Sequence, residues 1–227
     1  MCINNKIASL LFKIVIVGVC VTGILMICGF PKNLDFSLMK YYTLQSNVLV
    51  LVFFIAAAFH TAGQIRKSGT RGAVTFAPRL KGAVMIAITV TLLVYQFMLA
   101  GSPFSMSSAI TGDAFVHLFT PLLVILDWLL FDMKGRFTVT SPFWWTIVPL
   151  CYIAYAFIAA PLGVTYYGGG RYPYFFFDVD TLGIGTVLLY LVGMTVAFFI
   201  LSYIFVGLDR LLGRRAKKII RRDGQLQ

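Results

Sequence analysis

The chain has 227 residues, 59% of them hydrophobic and 12% charged, with 21 Phe and a mean hydropathy of +0.89. A soluble domain carries about 25% charged residues, so the composition excludes one and points to an integral membrane protein. The net charge of +11 does not imply nucleic acid, because the cations gather at alternating ends of apolar stretches.

A helix crosses hydrocarbon with roughly 20 apolar residues. Six stretches qualify, at about Ile7–Gly29, Leu38–His60, Ala83–Ala100, Phe115–Phe131, Phe143–Leu162 and Leu182–Leu208. The expected fold is all-α, six transmembrane helices filling residues 1–209, followed by a basic cytoplasmic tail, 210–227. The first stretch is longer than a signal peptide's apolar region and reads as a retained helix. Of the 19 cations, only Lys32, Lys40 and Arg171 fall on one side of this arrangement. The positive-inside rule then places both termini in the cytoplasm of a multi-pass cell-membrane protein. Cys2, Cys20, Cys28 and Cys151 lack a CxxC spacing, so neither a disulfide framework nor a zinc site is expected.

The second stretch opens on Tyr41-Tyr42-Thr43-Leu44-Gln45-Ser46-Asn47, a polar run placed directly before Val48 to Ile55. With a helix start near Leu38, Thr43 lies roughly 7–8 Å below the helix mouth, in the outer leaflet. His60 closes the same stretch, about 25 Å away along the axis, too far to serve Thr43. The long basic loop Gly63 to Gly82 reads as a linker resting on headgroups, and Gly101 to Ser108 as a cation-free outer loop. The fourth stretch carries Asp113 and His117 on one face, four residues apart, with Thr120 and Pro121 a turn deeper. The segment Val164 to Gly183, with Tyr172, Tyr174, Phe175, Phe176, Phe177 and Asp178, reads as an interfacial or re-entrant lid.

No nucleophile elbow, H-E-x-x-H or phosphate loop is present, and glutamate is absent altogether. Ionisable groups inside a membrane are expensive and mark function by default, which singles out His117 with Asp113. Thr43, Asp113, His117, Tyr174 and Asp178 all fall on the outer side. Thr43 supplies a hydroxyl that needs a base, and neutral His117 is the natural one. Gln45, Ser46 and Asn47 are candidate donors to an oxyanion, with Asn47 on the face of Thr43. First-turn N–H groups are usable only if the helix is broken near Thr43.

Each residue also has a plainer reading. Thr43 can bond back to a carbonyl, and Asn47 and Gln45 can hold neighbouring helices. His117 can pair structurally with Asp113, and the Tyr/Phe cluster can be an interface belt. A metal on Asp113, His117 and Asp178 is the weaker alternative, and no cofactor is expected.

Thr43, the segment Phe115-Val116-His117-Leu118-Phe119-Thr120-Pro121-Leu122, Asp127 ten residues past the histidine, and Tyr174-Phe175-Phe176-Phe177-Asp178 resemble the family of the androgen-induced protein and the androgen-dependent TFPI-regulating protein. The resemblance spans nearly the whole chain, although Phe175 stands where that family has proline and Pro173 lies two residues earlier. It implies a multi-pass hydrolase of fatty acid esters of hydroxy fatty acids or similar lipids, with Thr43 as nucleophile and His117 as its partner. Asp113 or Asp178 is then expected to orient the imidazole, and Asn47 with Gln45 or Tyr174 to face the oxyanion. The expected partners are a lipid ester substrate and membrane lipids. The rival reading is a non-enzymatic lipid-binding or transport protein whose polar groups line a path.

Overall fold

The computed structural model describes residues 2–100 and 111–223. Among them the chain is helical, and six helices are long and apolar enough to cross a membrane. They are α1 (Lys6–Ile27), α2 (Tyr42–Ser68), α3 (Pro78–Leu99), α4 (Gly112–Phe131), α5 (Ser141–Ala159) and α6 (Val179–Asp223). The loop Gly101 to Ser108 lies outside the described residues.

The helix α3 is apolar all round and is therefore the one that is buried. Val84 through Ile88 are closed off from the surface, with α2, α4, α5 and α6 packed around them. The outer helices do the reverse. Phe59 is 75% exposed and Leu189 74% exposed, among many other aliphatic and aromatic side chains that face outward. A soluble protein does not leave so much contiguous apolar surface in water, whereas helices with internally satisfied backbones suit lipid.

Two helix boundaries differ from the sequence expectation in ways that matter. The second membrane helix begins at Tyr42, four residues later than expected. Asp35 caps a separate 3₁₀ turn over Phe36–Lys40, accepting from the Ser37 N–H at 2.7 Å. Tyr41 is extended, with φ −87° and ψ 145°, so the chain turns before α2 starts. Thr43 is thus the second residue of α2 and not a residue more than one turn inside. The third helix begins at Pro78, a favoured first-turn proline. Lys81 consequently lies inside α3 and is buried, although the sequence pattern assigns it to the basic loop.

At the end of the last helix the chain stays helical through residue 223, past the expected start of the tail at Arg210. At its beginning, Gly183 breaks the helical geometry with φ 73° and ψ 154°, a combination reserved for glycine. Gly23 of α1 has a different reason. A Cβ there would sit 2.7 Å from Phe115 Cβ and 2.9 Å from Val116 Cγ1. The missing side chain therefore lets α1 press against α4 beside His117, the small-residue contact common between membrane helices.

Candidate functional site

The break at Tyr41 gives α2 a free N-terminus. Its first α-helical hydrogen bond runs from the Gln45 N–H to the Tyr41 carbonyl, 3.2 Å. The N–H groups of Tyr42, Thr43 and Leu44 precede it and have no carbonyl within the helix. Tyr42 reaches the Ala87 carbonyl of α3 at 3.2 Å, and the Ser46 and Thr91 hydroxyls lie 2.7 Å apart. The start of α2 is thereby fixed to the central helix.

His117 is positioned by a local departure from α-helical register. Residues Phe115–Phe119 of α4 wind as a π-helix, closed by the Thr120 N–H on the Phe115 carbonyl. With Thr120 engaged there, the next π-type donor for the Val116 carbonyl would be residue 121, and Pro121 has no N–H. The Asn47 amide takes that carbonyl instead, at 3.2 Å, and also donates to the Thr43 carbonyl at 2.8 Å. One side chain thus ties Thr43 to the widened turn that carries His117. A second π-helical segment, Tyr95–Leu99, ends α3. Its Tyr95 ring stacks on the His117 imidazole with centroids 3.8 Å apart and planes 15° from parallel. Such bulges recur at functional sites.

The outcome is a direct contact: Thr43 Oγ1 lies 3.1 Å from His117 Nε2. The other ring nitrogen, Nδ1, lies 3.1 Å from the Asp113 carbonyl oxygen. A carbonyl only accepts, so Nδ1 carries the hydrogen and neutral His117 presents its Nε2 lone pair to the threonine hydroxyl. The Asp113 carboxylate stands farther off, 3.6 Å from Nδ1 and half exposed.

The remaining expected residues take distinct places. Asp178 turns to the start of α6, where it accepts from the Thr181 N–H and hydroxyl at 3.1 and 2.7 Å. Those bonds hold its carboxyl below the ordinary aspartate range. Gln45 donates to the Met39 carbonyl at 3.2 Å, and Ser46 bonds the Thr43 carbonyl at 3.0 Å. With both donors of Asn47 also committed, these three side chains brace the start of α2 and do not face an oxyanion. Tyr174 does face Thr43. Its ring packs against those of Tyr41 and Tyr152, and it lines both of the cavities that reach Thr43. Burial pushes this phenol up to about 12, with the neighbouring Thr43 and Tyr152 hydroxyls pulling the other way.

Thr43 stands where two cavities meet. A chamber of about 550 Å³ opens on one side, lined by Tyr41, Tyr95, His117, Tyr166, Arg171 and Tyr174 among others. A narrow cleft of about 40 Å³ continues on the other, walled by Val90, Val94, Ile153, Phe177 and Phe198. The segment after α5 roofs the chamber, as its aromatic content suggests. The Tyr167 N–H donates to the Tyr41 hydroxyl at 2.7 Å, Lys40 reaches the Thr165 carbonyl, and the Tyr41 and Tyr166 rings meet edge to face. Among the described residues no three His, Cys or Asp side chains come together.

Tyr95 was not singled out by the sequence pattern, and the break near Thr43, which the sequence left as a condition, falls at Tyr41. The only advance signal for the widened turn is Pro121, four residues after His117. No family model, curated protein or solved structure matches the chain.

Proposed function

We propose that the protein is a membrane-embedded hydrolase of lipid esters in which Thr43 is the nucleophile and His117 its base. The observation that carries this reading is the 3.1 Å approach of Thr43 Oγ1 to His117 Nε2, with Nδ1 held by the Asp113 carbonyl. Nucleophile, base and a group orienting the base then follow one another in hydrogen-bonding order. The twin cavities at Thr43 fit an amphiphile that bears a polar group and a chain.

In this mechanism His117 Nε2 takes the Thr43 proton as Oγ1 attacks the ester carbonyl carbon. The oxyanion receives the Tyr174 O–H, next to the N–H groups at the start of α2 that have no partner within the helix. Collapse breaks the ester C–O bond, and the leaving alkoxide takes the proton from imidazolium. Water then enters, gives its proton to His117 and attacks the acyl-threonine, and the acid departs as Thr43 regains its hydrogen. Asn47 positions these groups from outside the cavities, and Tyr95 does so from the chamber wall.

The charge distribution supports a cytoplasmic location for both termini, with the chamber open to the outer leaflet of the cell membrane. A transport path would need an opening at the opposite end of the bundle. There, Lys13, Lys81, Asp127 and Asp132 are packed together and buried. Lys81 pairs with both carboxylates, and Lys13 lies 3.4 Å from Asp127. Hydrolysis of a long-chain ester by the detergent-purified protein tests the proposal. Turnover is expected in the wild type and loss of it in His117→Ala; equal turnover in both contradicts it.

A further inference from the structure

The end of the bundle away from Thr43 holds a separate cavity, of about 420 Å³, lined by Lys6, His60, Gln64, Ser68 and Arg71 among others. It belongs neither to the Thr43 chamber nor to the buried Lys–Asp cluster. The backbone assembles it from distant parts of the chain. The Lys6 N–H donates to the Thr70 carbonyl at 2.8 Å, the Gly72 N–H to the Asn4 carbonyl at 3.2 Å, and Asn5 pairs with Arg71 as an antiparallel bridge. This strap draws the loop after α2 onto the start of α1 and brings two cations to one cavity.

The electrostatics of this cavity are unbalanced. No carboxylate lines it, and neither Lys6 nor Arg71 forms an ion pair among the described residues. Lys6 is only 5% exposed. Its ammonium bonds to Ser68 Oγ at 2.6 Å and to the Ser68 carbonyl at 3.4 Å, neutral acceptors that bring no counter-charge. A buried charge without a counter-ion is costly. His60 lines the same cavity, with its ring held against Phe76. A fork-shaped guanidinium and an ammonium, with an imidazole ring beside them, line one space and make a receptor for a phosphate-type anion.

We infer that this cavity binds a phosphate group through Lys6, His60 and Arg71, and that the anionic headgroup of a membrane phospholipid is its source. The surroundings favour the lipid. The cavity lies at the ends of α1, α2 and α4, at the headgroup level of a bilayer spanned by the six helices. Ile3, Ile7 and Phe59 stand exposed close by in sequence and provide an apolar surface for acyl chains. The bound lipid would clamp the α1 start to the end of α2.

The test uses the full chain in detergent, with phosphatidylglycerol, phosphatidylcholine or inorganic phosphate as probe. Lipid retained per protein is counted by native mass spectrometry, and the melting midpoint is followed with phosphate. Arg71 is exposed, so Arg71→Gln leaves the packing intact; His60→Gln provides a second variant. Arg66→Gln, an exposed cation that does not line the cavity, controls for general attraction to anionic surfaces. The wild type and Arg66→Gln are expected to retain phosphatidylglycerol at least ten-fold better than Arg71→Gln, with no retention of phosphatidylcholine. A midpoint rise with inorganic phosphate alone, lost in Arg71→Gln, keeps the anion site and assigns it to free phosphate. Equal retention by Arg71→Gln and wild type, or equal loss in Arg71→Gln and Arg66→Gln, overturns the site.

Discussion

The Tyr95 ring lies flat against the His117 imidazole, 3.8 Å between centroids, and both residues sit in π-helical segments that end or begin a membrane helix. The stack fixes the plane of the imidazole while the Asp113 carbonyl fixes its rotation. Tyr95→Phe preserves the ring and is expected to keep activity. Tyr95→Leu removes it and is expected to lower kcat roughly 10- to 100-fold by misplacing the base. Comparing kcat for both variants against an unchanged melting midpoint checks this.

His117 and Asp113 should separate in effect. Loss of the base in His117→Gln is expected to cost about 10²–10⁴ in rate. Asp113 orients the ring chiefly through its backbone carbonyl, which Asp113→Asn retains, and its carboxylate is half exposed. That variant is expected to lose less than about ten-fold, well short of one general-base contribution. A loss as large as that of His117→Gln would transfer the orienting role to the carboxylate.

Tyr174 is expected to act as a neutral donor. Burial holds its phenol up to about 12, so the hydroxyl keeps its proton throughout the neutral range and leaves no mark on the pH profile below that. Tyr174→Phe is expected to reduce kcat by about 10²–10³, the scale of one oxyanion donor, without moving the pH profile. A shifted profile would show that Tyr174 takes part in proton transfer.

How much of this was legible in the sequence depends on the kind of signal. Thr43 and His117 stood out because polar groups in apolar runs need a reason, and the helix count followed from hydropathy. The start of α2 was not legible, since Leu38 and Met39 are as apolar in a 3₁₀ turn as in an α-helix. The decisive device there is the Asp35 cap, with the extended Tyr41 behind it. Lys13 and Lys81 were counted as topology signals, yet both are buried against Asp127. A charge pattern shows where cations fall along a chain but not which way their side chains turn. Asn47 was expected near the oxyanion because it shares a face with Thr43. Its amide instead spans the Thr43 and Val116 carbonyls, the latter left without a helical donor by the π-helical turn over Phe115–Phe119 and by Pro121.

The Lys–Asp cluster gives a stability prediction. Asp127 is fully buried between Lys13 and Lys81, and breaking one partner of a buried ion pair costs about 3–5 kcal/mol. Asp127→Asn is expected to lower the melting midpoint strongly, whereas Asp180→Asn, which loses only the exposed pair with Arg171, is expected to leave it within about 1 kcal/mol. Thermal unfolding in detergent distinguishes the two.

The most direct test of the central claim is the site of covalent capture by an activated fluorophosphonate carrying an alkyl chain. Peptide mapping is expected to place the adduct on Thr43, with labelling abolished in Thr43→Ala, strongly slowed in His117→Ala and retained in Thr43→Ser. Labelling of Thr43→Ala at the wild-type rate, or an adduct mapped to another residue, would contradict the account.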